Sequence, residues 1–517
     1  MSAYLIIFGE RNKTEISLTL TALTLLPVFH LVAALWAVDS STALYGFVKF
    51  LPVALFGFAV APLEKEKKLE IVTVIPYSAA VMGILSYVLS FIPVLSNWFL
   101  VASRLGGFFQ YPNTFACFCL IGIAISFLKE KITPKDWIVS VVLIGIIFLT
   151  GSRTVFVLLV VVSTLIFIKI GKQYRISLVC IIAGAVVASL IIVLLTDSVQ
   201  TVGRFLTISL ESSTLLGRLL YYKDALPVIL KNPFGLGYYG YYFSQGSFQT
   251  GVYSVAFVHN EFLQMLLDIG WIPTSLFFFI AGKSLFSKKN GTTEKLMLFI
   301  ILSHSLFDFD LQFICVFFVL ILALDFDIVT VMKVSVTREF LACILVSVSL
   351  ICTYFGAVNA FFLLGKYETV EKIYGKDTQT QIVLMTQEKN YENIKVYAEE
   401  ILSRNEHVSI AYSACANQAF KNGDIKSFIE YKEKAIGAAR YSIDEYNDYC
   451  EKLIVAINLY AEARDMTSAQ YCMERLVEVE EMLNDLKEST DDLAWKIKDK
   501  PNLSLESFSE YIKEFKS

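Results

Sequence analysis

Histidine is scarce in this chain, with four in 517 residues, and charge is thin at 18% Asp, Glu, Lys and Arg. Of the nine cysteines, six sit in apolar runs and Cys415, Cys450 and Cys472 are widely spaced, with no CxxC pair, so nothing reads as a disulfide framework or a thiolate metal centre. An HExxH helix is missing, so a zinc-peptidase site is excluded. Basic residues are nowhere interleaved with aromatics as a nucleic-acid surface requires. Gly235-Leu236-Gly237 lacks the preceding soluble strand of a nucleotide fingerprint. What is abundant is apolar: 56% of residues are hydrophobic, with 41 Phe and 26 Tyr. A water-soluble fold rarely carries so much apolar surface, and a polytopic membrane protein is implied.

Apolar segments fit for spanning fall at 16–38, 42–62, 69–97, 112–128, 137–150, 154–170, 176–195, 261–283, 295–307, 311–327 and 340–364, about eleven in all. The region 295–327 reads either as two tilted helices or as a re-entrant hairpin broken at SHSLFDFD, 303–310. Lys and Arg concentrate in alternate loops, at Arg11 and Lys13, Lys65 to Lys68, Lys129 to Lys135, Lys172 and Arg175, Lys288 to Lys295, and Lys333 and Arg338. Those loops are cytoplasmic by the positive-inside rule. The opposite face then holds 98–111, the turn at Gly151–Arg153, a long loop at 196–258, the 303–310 break and everything after 364. No internal inverted repeat of the kind a transporter or flippase carries is evident. A simple membrane anchor would need one span, not eleven.

From Lys366 onward the chain turns acidic, with 20 Lys+Arg against 29 Asp+Glu. Residues 411–440 and 454–483 each read as helix, turn, helix, with turns at Asn422-Gly423-Asp424 and near Arg464-Asp465. Ala411, Ala414, Cys415 and Ala419 share one side, and Ala435 and Ala439 face them on the return. These are degenerate tetratricopeptide-type hairpins by shape. The expected architecture is all-α: a polytopic membrane domain over 1–364 with an extracytoplasmic loop at 196–258, and an extracytoplasmic, soluble helical-repeat domain over 365–517. A glycan or protein partner suits such a tail.

Arg104, Arg153, Arg204 and Arg218 all fall on the face where that rule disfavours them. Either they snorkel or pair internally with Asp197, Glu211 or Asp224, or they hold an anion. Leu219, Tyr222, Ala225, Leu226 and Ile229 predict the apolar side of an outer-loop helix, kinked at Pro227 and stopped at Asn232-Pro233. The tyrosines that follow mark the membrane interface or stack on sugars. Asn260 is placed as a helix N-cap with Glu261 in the first turn, and His259 stands just outside. Such a histidine either completes the cap or accepts a proton from a hydroxyl. His304, with Asp308 and Asp310, either orients a partner or binds a cation. His30 packs inside the first span, and His407 lies on the surface of the tail.

Four stretches, taken in order, resemble the O-antigen ligase and polymerase family of bacterial integral-membrane glycosyltransferases. They are Arg104-Leu105-Gly106-Gly107-Phe108-Phe109 with Tyr111-Pro112-Asn113; Thr150-Gly151-Ser152-Arg153-Thr154; Gly217-Arg218 with Asn232-Pro233-Phe234-Gly235-Leu236-Gly237; and His259-Asn260-Glu261-Phe262-Leu263-Gln264 with Asp268 and Gly270. The likeness covers roughly residues 16–330. Asp268 stands where the family more often has glutamate, and the N-terminus reads as short because members usually have earlier spans.

The resemblance implies glycosyl transfer at the outer face of the cytoplasmic membrane, without metal or cofactor. The donor would be an oligosaccharide on a polyprenyl diphosphate, and the acceptor a cell-envelope glycan (ligase) or another lipid-linked unit (polymerase). It implies Arg153 and Arg218 on the diphosphate and His259 as general base on the acceptor hydroxyl, with inversion. Arg104, Asn113, Arg204, Tyr222, Asn260 and Glu261 would contact substrate. Glu261, nearer than Asp268, would orient His259.

Overall fold

The computed structural model describes residues 14–129, 131–180, 183–184, 187, 213–334, 338–505, 508 and 511. It is mainly helical. Among the described residues, three helices are long and apolar enough to cross a membrane, Ser40–Val60, Lys65–Leu89 and Ala342–Leu363. Four shorter apolar helices are Leu18–Ala33, Pro112–Phe127, Trp271–Phe286 and Ile314–Ala323. The count of about eleven spans therefore stays an expectation, and most of the segment 176–195 lies outside the described residues. Outward-facing Val81, Ile84, Val88, Val157, Val160 and Ile168 give the helices an apolar exterior, as lipid contact requires.

The helix Pro112–Phe127 is the centre of the membrane domain. It is apolar around its whole circumference, and every residue but Asn113 is buried. A helix of that kind must be surrounded by others. It packs against Ile75–Leu89, Pro134–Thr150, Arg153–Lys169 and Thr292–His304.

Among the described residues, two small antiparallel ribbons interrupt an otherwise helical chain. Residues 14–17 pair with 330–334, and Leu100–Val101 pairs with Arg104–Leu105. The second ribbon turns through Ala102 and Ser103, both at positive φ, and sets Arg104 at a fixed height.

Two expected spans are broken. The segment 261–283 forms Glu261–Ile269 and Trp271–Phe286, separated at Gly270. Gly270 has φ 82°, and a Cβ there would meet the Pro233 carbonyl oxygen at 2.3 Å. The freed Trp271 N–H donates to that same carbonyl. The segment 69–97 likewise splits, into Ile75–Leu89 and Pro93–Phe99, because Pro93 opens a new helix.

The outer-loop helix, Ser213–Lys231, runs through Pro227 and stops at Asn232. Its buried side differs from the expected one. Gly217, Arg218, Leu220, Asp224, Ala225 and Ile229 face inward, while Leu219 and Leu226 are exposed. Asp224 can be buried because Thr250 N–H, Thr250 Oγ1 and Tyr253 OH all donate to it, at 2.9, 2.7 and 2.7 Å.

Helix direction sorts the loops into two ends. Thr292–His304 starts by Glu294, which pairs with Lys65, and finishes beside Asp308. Pro112–Phe127 runs the other way, from Asn113 towards Lys129, which pairs with Asp136. The lysine-bearing loops thus gather at one end and the arginine-bearing motifs at the other.

The tail docks on the arginine end. Asn405 donates to Asp39, Arg440 N–H to the Gly246 carbonyl, Asp491 N–H to the Thr250 carbonyl, and Lys223 pairs with Asp491. It is built of antiparallel helix pairs, 378–402, 409–438 and 443–489. The expected turns are present, with Gly423 and Arg464 at positive φ and Asp424 and Asp465 capping the return helices. Ala411, Cys415 and Ala435 are buried between helices, as their spacing predicts.

Candidate active site

Asn260 caps the helix Glu261–Ile269 through its side-chain oxygen, which accepts from Leu263 N–H at 3.0 Å. Its amide also donates to the Leu306 carbonyl at 3.0 Å. The capping expectation is therefore met. It does not exhaust the motif, because His259 has a different task.

His259 sits at φ 55°, a strained conformation for a residue with a Cβ. Its neighbours hold it there. Tyr222 OH donates to the His259 carbonyl at 2.6 Å, and Val258 N–H donates to Gln264 Oε1 at 2.9 Å. Burial pushes the Tyr222 hydroxyl up to about 12, so it stays a donor at neutral pH. The imidazole stands edge-on to Phe309, centroids 5.0 Å apart.

Asp308 organises the site. Its Oδ1 accepts from Tyr111 OH at 2.7 Å and from His259 Nδ1 at 3.2 Å. Its Oδ2 accepts from Asn113 Nδ2 at 2.8 Å and from the Arg218 guanidinium at 3.3 Å. Burial alone would raise this carboxyl. The hydrogen bond from His259 and the charge of Arg218 outweigh burial and hold it well below the usual carboxylate range. An ionised Asp308 can only accept, so the shared proton resides on His259 Nδ1. His259 Nε2, with no partner among the described residues, is left as the basic nitrogen.

Arg218 touches this hub directly and Arg104 reaches it through Asn113. Arg104 reaches the Thr150 carbonyl at 2.7 Å through Nε and Asn113 Oδ1 at 2.6 Å through a terminal nitrogen. Thr150 stands three residues before Arg153, the first residue of the helix Arg153–Lys169. A cation at a helix N-terminus adds to the positive end of the dipole, so the pair favours an anion. Ser152 Oγ and Arg218 Nε are buried without hydrogen-bond partners among the described residues. Buried donors of that kind call for a ligand or water.

Glu261 does not orient His259, contrary to expectation. Its carboxylate accepts from Leu311 N–H at 3.0 Å and Gln312 Nε2 at 2.8 Å, and its own N–H donates to the Ser305 carbonyl. It is fully buried and clamps the 305–312 loop to the His259 turn. Gln312 Oε1 in turn accepts from Lys49, which also bonds Tyr238 OH. Asp268 accepts from Gln264 and does not touch His259 either. Both lie on helix sides that turn away from the imidazole. Arg204 lies outside the described residues.

Sequence reasoning assigned His304, Asp308 and Asp310 to one set, and the structure divides them. His304 Nδ1 meets Asp310 Oδ2 at 2.6 Å below the site, where both are buried. Cys117, His304 and Asp310 bring three possible metal-binding atoms within 4.8 Å of one another. Asp310 is already bonded by Thr114 Oγ1 and Ser305 Oγ, and three donors fall short of a closed tetrahedral site. His30 stacks on Phe50 inside the membrane domain, as expected. His407 is half-buried at the surface of the tail, on the wall of an open-sided cavity, and burial lowers its pKa.

The class defined by this fold and site is a helical membrane protein with a histidine–aspartate pair beside Arg218, and Arg104 behind Asn113, at one end of its bundle. Residues 138–278 match the family model described as O-antigen ligase. The match includes Arg153, Arg218 and His259; Arg104, Asn113 and Asp308 join the site through the fold. No curated protein and no solved structure matches the chain. The family match supports an O-antigen ligase-like role in surface polysaccharide assembly.

Proposed function

We propose that the protein transfers a glycan from a polyprenyl diphosphate carrier to a hydroxyl of a cell-envelope acceptor, at the extracytoplasmic face of the cytoplasmic membrane. The observation that carries this reading is the placement of His259. Asp308 holds its Nδ1–H, and Nε2 is left to take a proton. The acceptor oxygen attacks the anomeric carbon as that proton moves to Nε2. The bond from the anomeric carbon to the diphosphate oxygen breaks, and the electron pair leaves with the diphosphate. One displacement inverts the carbon.

The leaving diphosphate gathers negative charge, which fixed guanidinium groups stabilise best. Arg218 and Arg153 take that role, with Arg104 behind them holding Asn113 in place. Arg218 has an unpartnered buried Nε to offer. Tyr222, Asn260 and Glu261 then shape the site through the backbone. No metal is required by this scheme. The tail, 365–517, is a tetratricopeptide-like domain on the same side of the membrane.

A ligase and a repeat-unit polymerase differ here only in acceptor. The test is surface glycan from a deletion strain, resolved by size, after complementation with wild type or His259→Ala. Long chains held on the lipid carrier indicate a ligase, and single repeat units indicate a polymerase. Wild-type glycan from a normally expressed His259→Ala protein would refute the assignment.

A further inference from the structure

A second feature lies away from the reacting centre, where the tail meets the membrane domain. An open-sided cavity of about 610 Å³ is walled by Trp36, Lys231 and Phe248 on one side and Ser403, Arg404 and Glu406 on the other. That volume falls within the range of roughly 300–1,000 Å³ typical of small-molecule sites. Its walls are fixed to one another. Val38 N–H donates to the Leu236 carbonyl at 3.0 Å, Asn405 Nδ2 to Asp39 at 3.0 Å, and Arg440 N–H to the Gly246 carbonyl at 3.0 Å. The cavity is therefore a built recess.

Its chemistry is that of a sugar site. Trp36 and Phe248 supply aromatic surface, and Asn232, Ser247 and Ser403 supply polar groups. Of the lining charges, Lys231 and Arg404 outnumber the one carboxylate, Glu406, and the balance is positive. Arg404 bonds Gln381 through a terminal nitrogen, while its buried Nε has no partner among the described residues. Lys231 ends the helix that carries Arg218, thirteen residues further on, which at 1.5 Å per residue is about 20 Å.

We propose that this cavity is a secondary glycan site that holds an acidic sugar, carboxylate- or phosphate-bearing, of the chain whose reducing end is processed at His259. The proposal rests on the glycan-transfer reading above. A site at that distance would retain the glycan while its end reacts, and the tail would supply half of it.

The test uses the full-length chain in phosphatidylcholine nanodiscs, titrated calorimetrically with tetragalacturonate and with neutral maltotetraose. The acidic probe should bind at least tenfold more tightly. Lys231→Glu, at an exposed helix end, and Ser403→Trp, which fills the mouth, should each weaken it at least tenfold, and His259→Ala should leave it within twofold. Equal binding of the two probes, or no effect of either cavity variant, would overturn the proposal. So would displacement of the probe by phosphatidylglycerol in the nanodisc, which would make this a lipid-headgroup site. Surface glycan from the same variants separates the two readings. If His259→Ala leaves glycan intact while the binding results hold, the transfer reading fails and the sugar site stands. If His259→Ala abolishes glycan while both cavity variants bind as wild type, the sugar site fails and the transfer reading stands.

Discussion

Replacing Asp308 by Asn separates the two tasks this carboxylate performs. The substitution keeps the shape and leaves one oxygen for Tyr111 and His259. It places an amide N–H₂ where Oδ2 accepted from Asn113 and Arg218, so donor meets donor. It also removes the charge that balances an imidazolium. At 3.2 Å and an effective dielectric constant near 20, that attraction is about 5 kcal/mol. His259 is partly exposed, so less than this is realised. A loss of about 3–4 kcal/mol in the transition state corresponds to roughly 10²–10³ in kcat. Arg218, no longer tied to a carboxylate, becomes freer to bind phosphate. We therefore expect kcat to fall by that factor while the KM for the lipid-linked donor falls or stays within about threefold. The assay is transfer from a purified polyprenyl-diphosphate oligosaccharide by detergent-solubilised protein. A normally folded Asp308→Asn enzyme with wild-type kcat would refute the hub role of Asp308. Stability gives a second reading. The folded carboxyl is held below its ordinary value, so its contribution is complete above the unfolded pKa of about 3.9 and is lost as pH falls through the lower folded value. The stability gap between wild type and variant should narrow as pH falls below about pH 4.

Arg218→Lys retains charge but loses the planar fork, and should cost about 10²–10³ in kcat if the guanidinium meets the leaving diphosphate; unchanged turnover in the same transfer assay would remove Arg218 from that role. Asn260→Ala deletes both a cap and the bond to the Leu306 carbonyl, and should destabilise the protein by about 1–2 kcal/mol, read as a lower unfolding temperature in detergent. Gly270→Ala forces a Cβ to within 2.3 Å of the Pro233 carbonyl at positive φ, and should cost more than the roughly 1–3 kcal/mol of backbone strain alone. Size-exclusion profiles of that variant should show aggregation or loss of the monodisperse species, and a wild-type profile would contradict the packing argument.

Local features were legible in the chain, and pairings across it were not. The N-cap at Asn260, the turns at Gly423 and Arg464 and the arginine-bearing motifs are each set by a few neighbouring residues. Asp308 and His259 are 49 positions apart, and Arg104 and Thr150 are 46 apart. Proximity in sequence favoured Glu261 as the orienting group, whereas the helix it starts turns its carboxylate towards Leu311 and Gln312. The outer-loop helix misled for a different reason. An apolar stripe marks the buried side when water is the alternative. At a membrane surface, exposed Leu219 and Leu226 have lipid available, and Arg218 and Asp224 can turn inward because partners await them there.

The same partners explain why an acid stands among arginines. Three helices begin at the site, at Pro112, Arg153 and Glu261, and each brings the positive end of its dipole. With Arg104 and Arg218 added, a site lacking any anion would be strongly repulsive. Asp308 relieves that repulsion with one charge, through a contact to Arg218 that is long at 3.3 Å and single rather than bidentate. A diphosphate carries more charge and fits a guanidinium better, so it can displace this contact without first breaking a strong one. The carboxylate keeps its bonds to Tyr111, Asn113 and His259 throughout. On the proposed reading, donor binding and base orientation draw on opposite oxygens of one side chain, in a site charged to receive an anionic substrate.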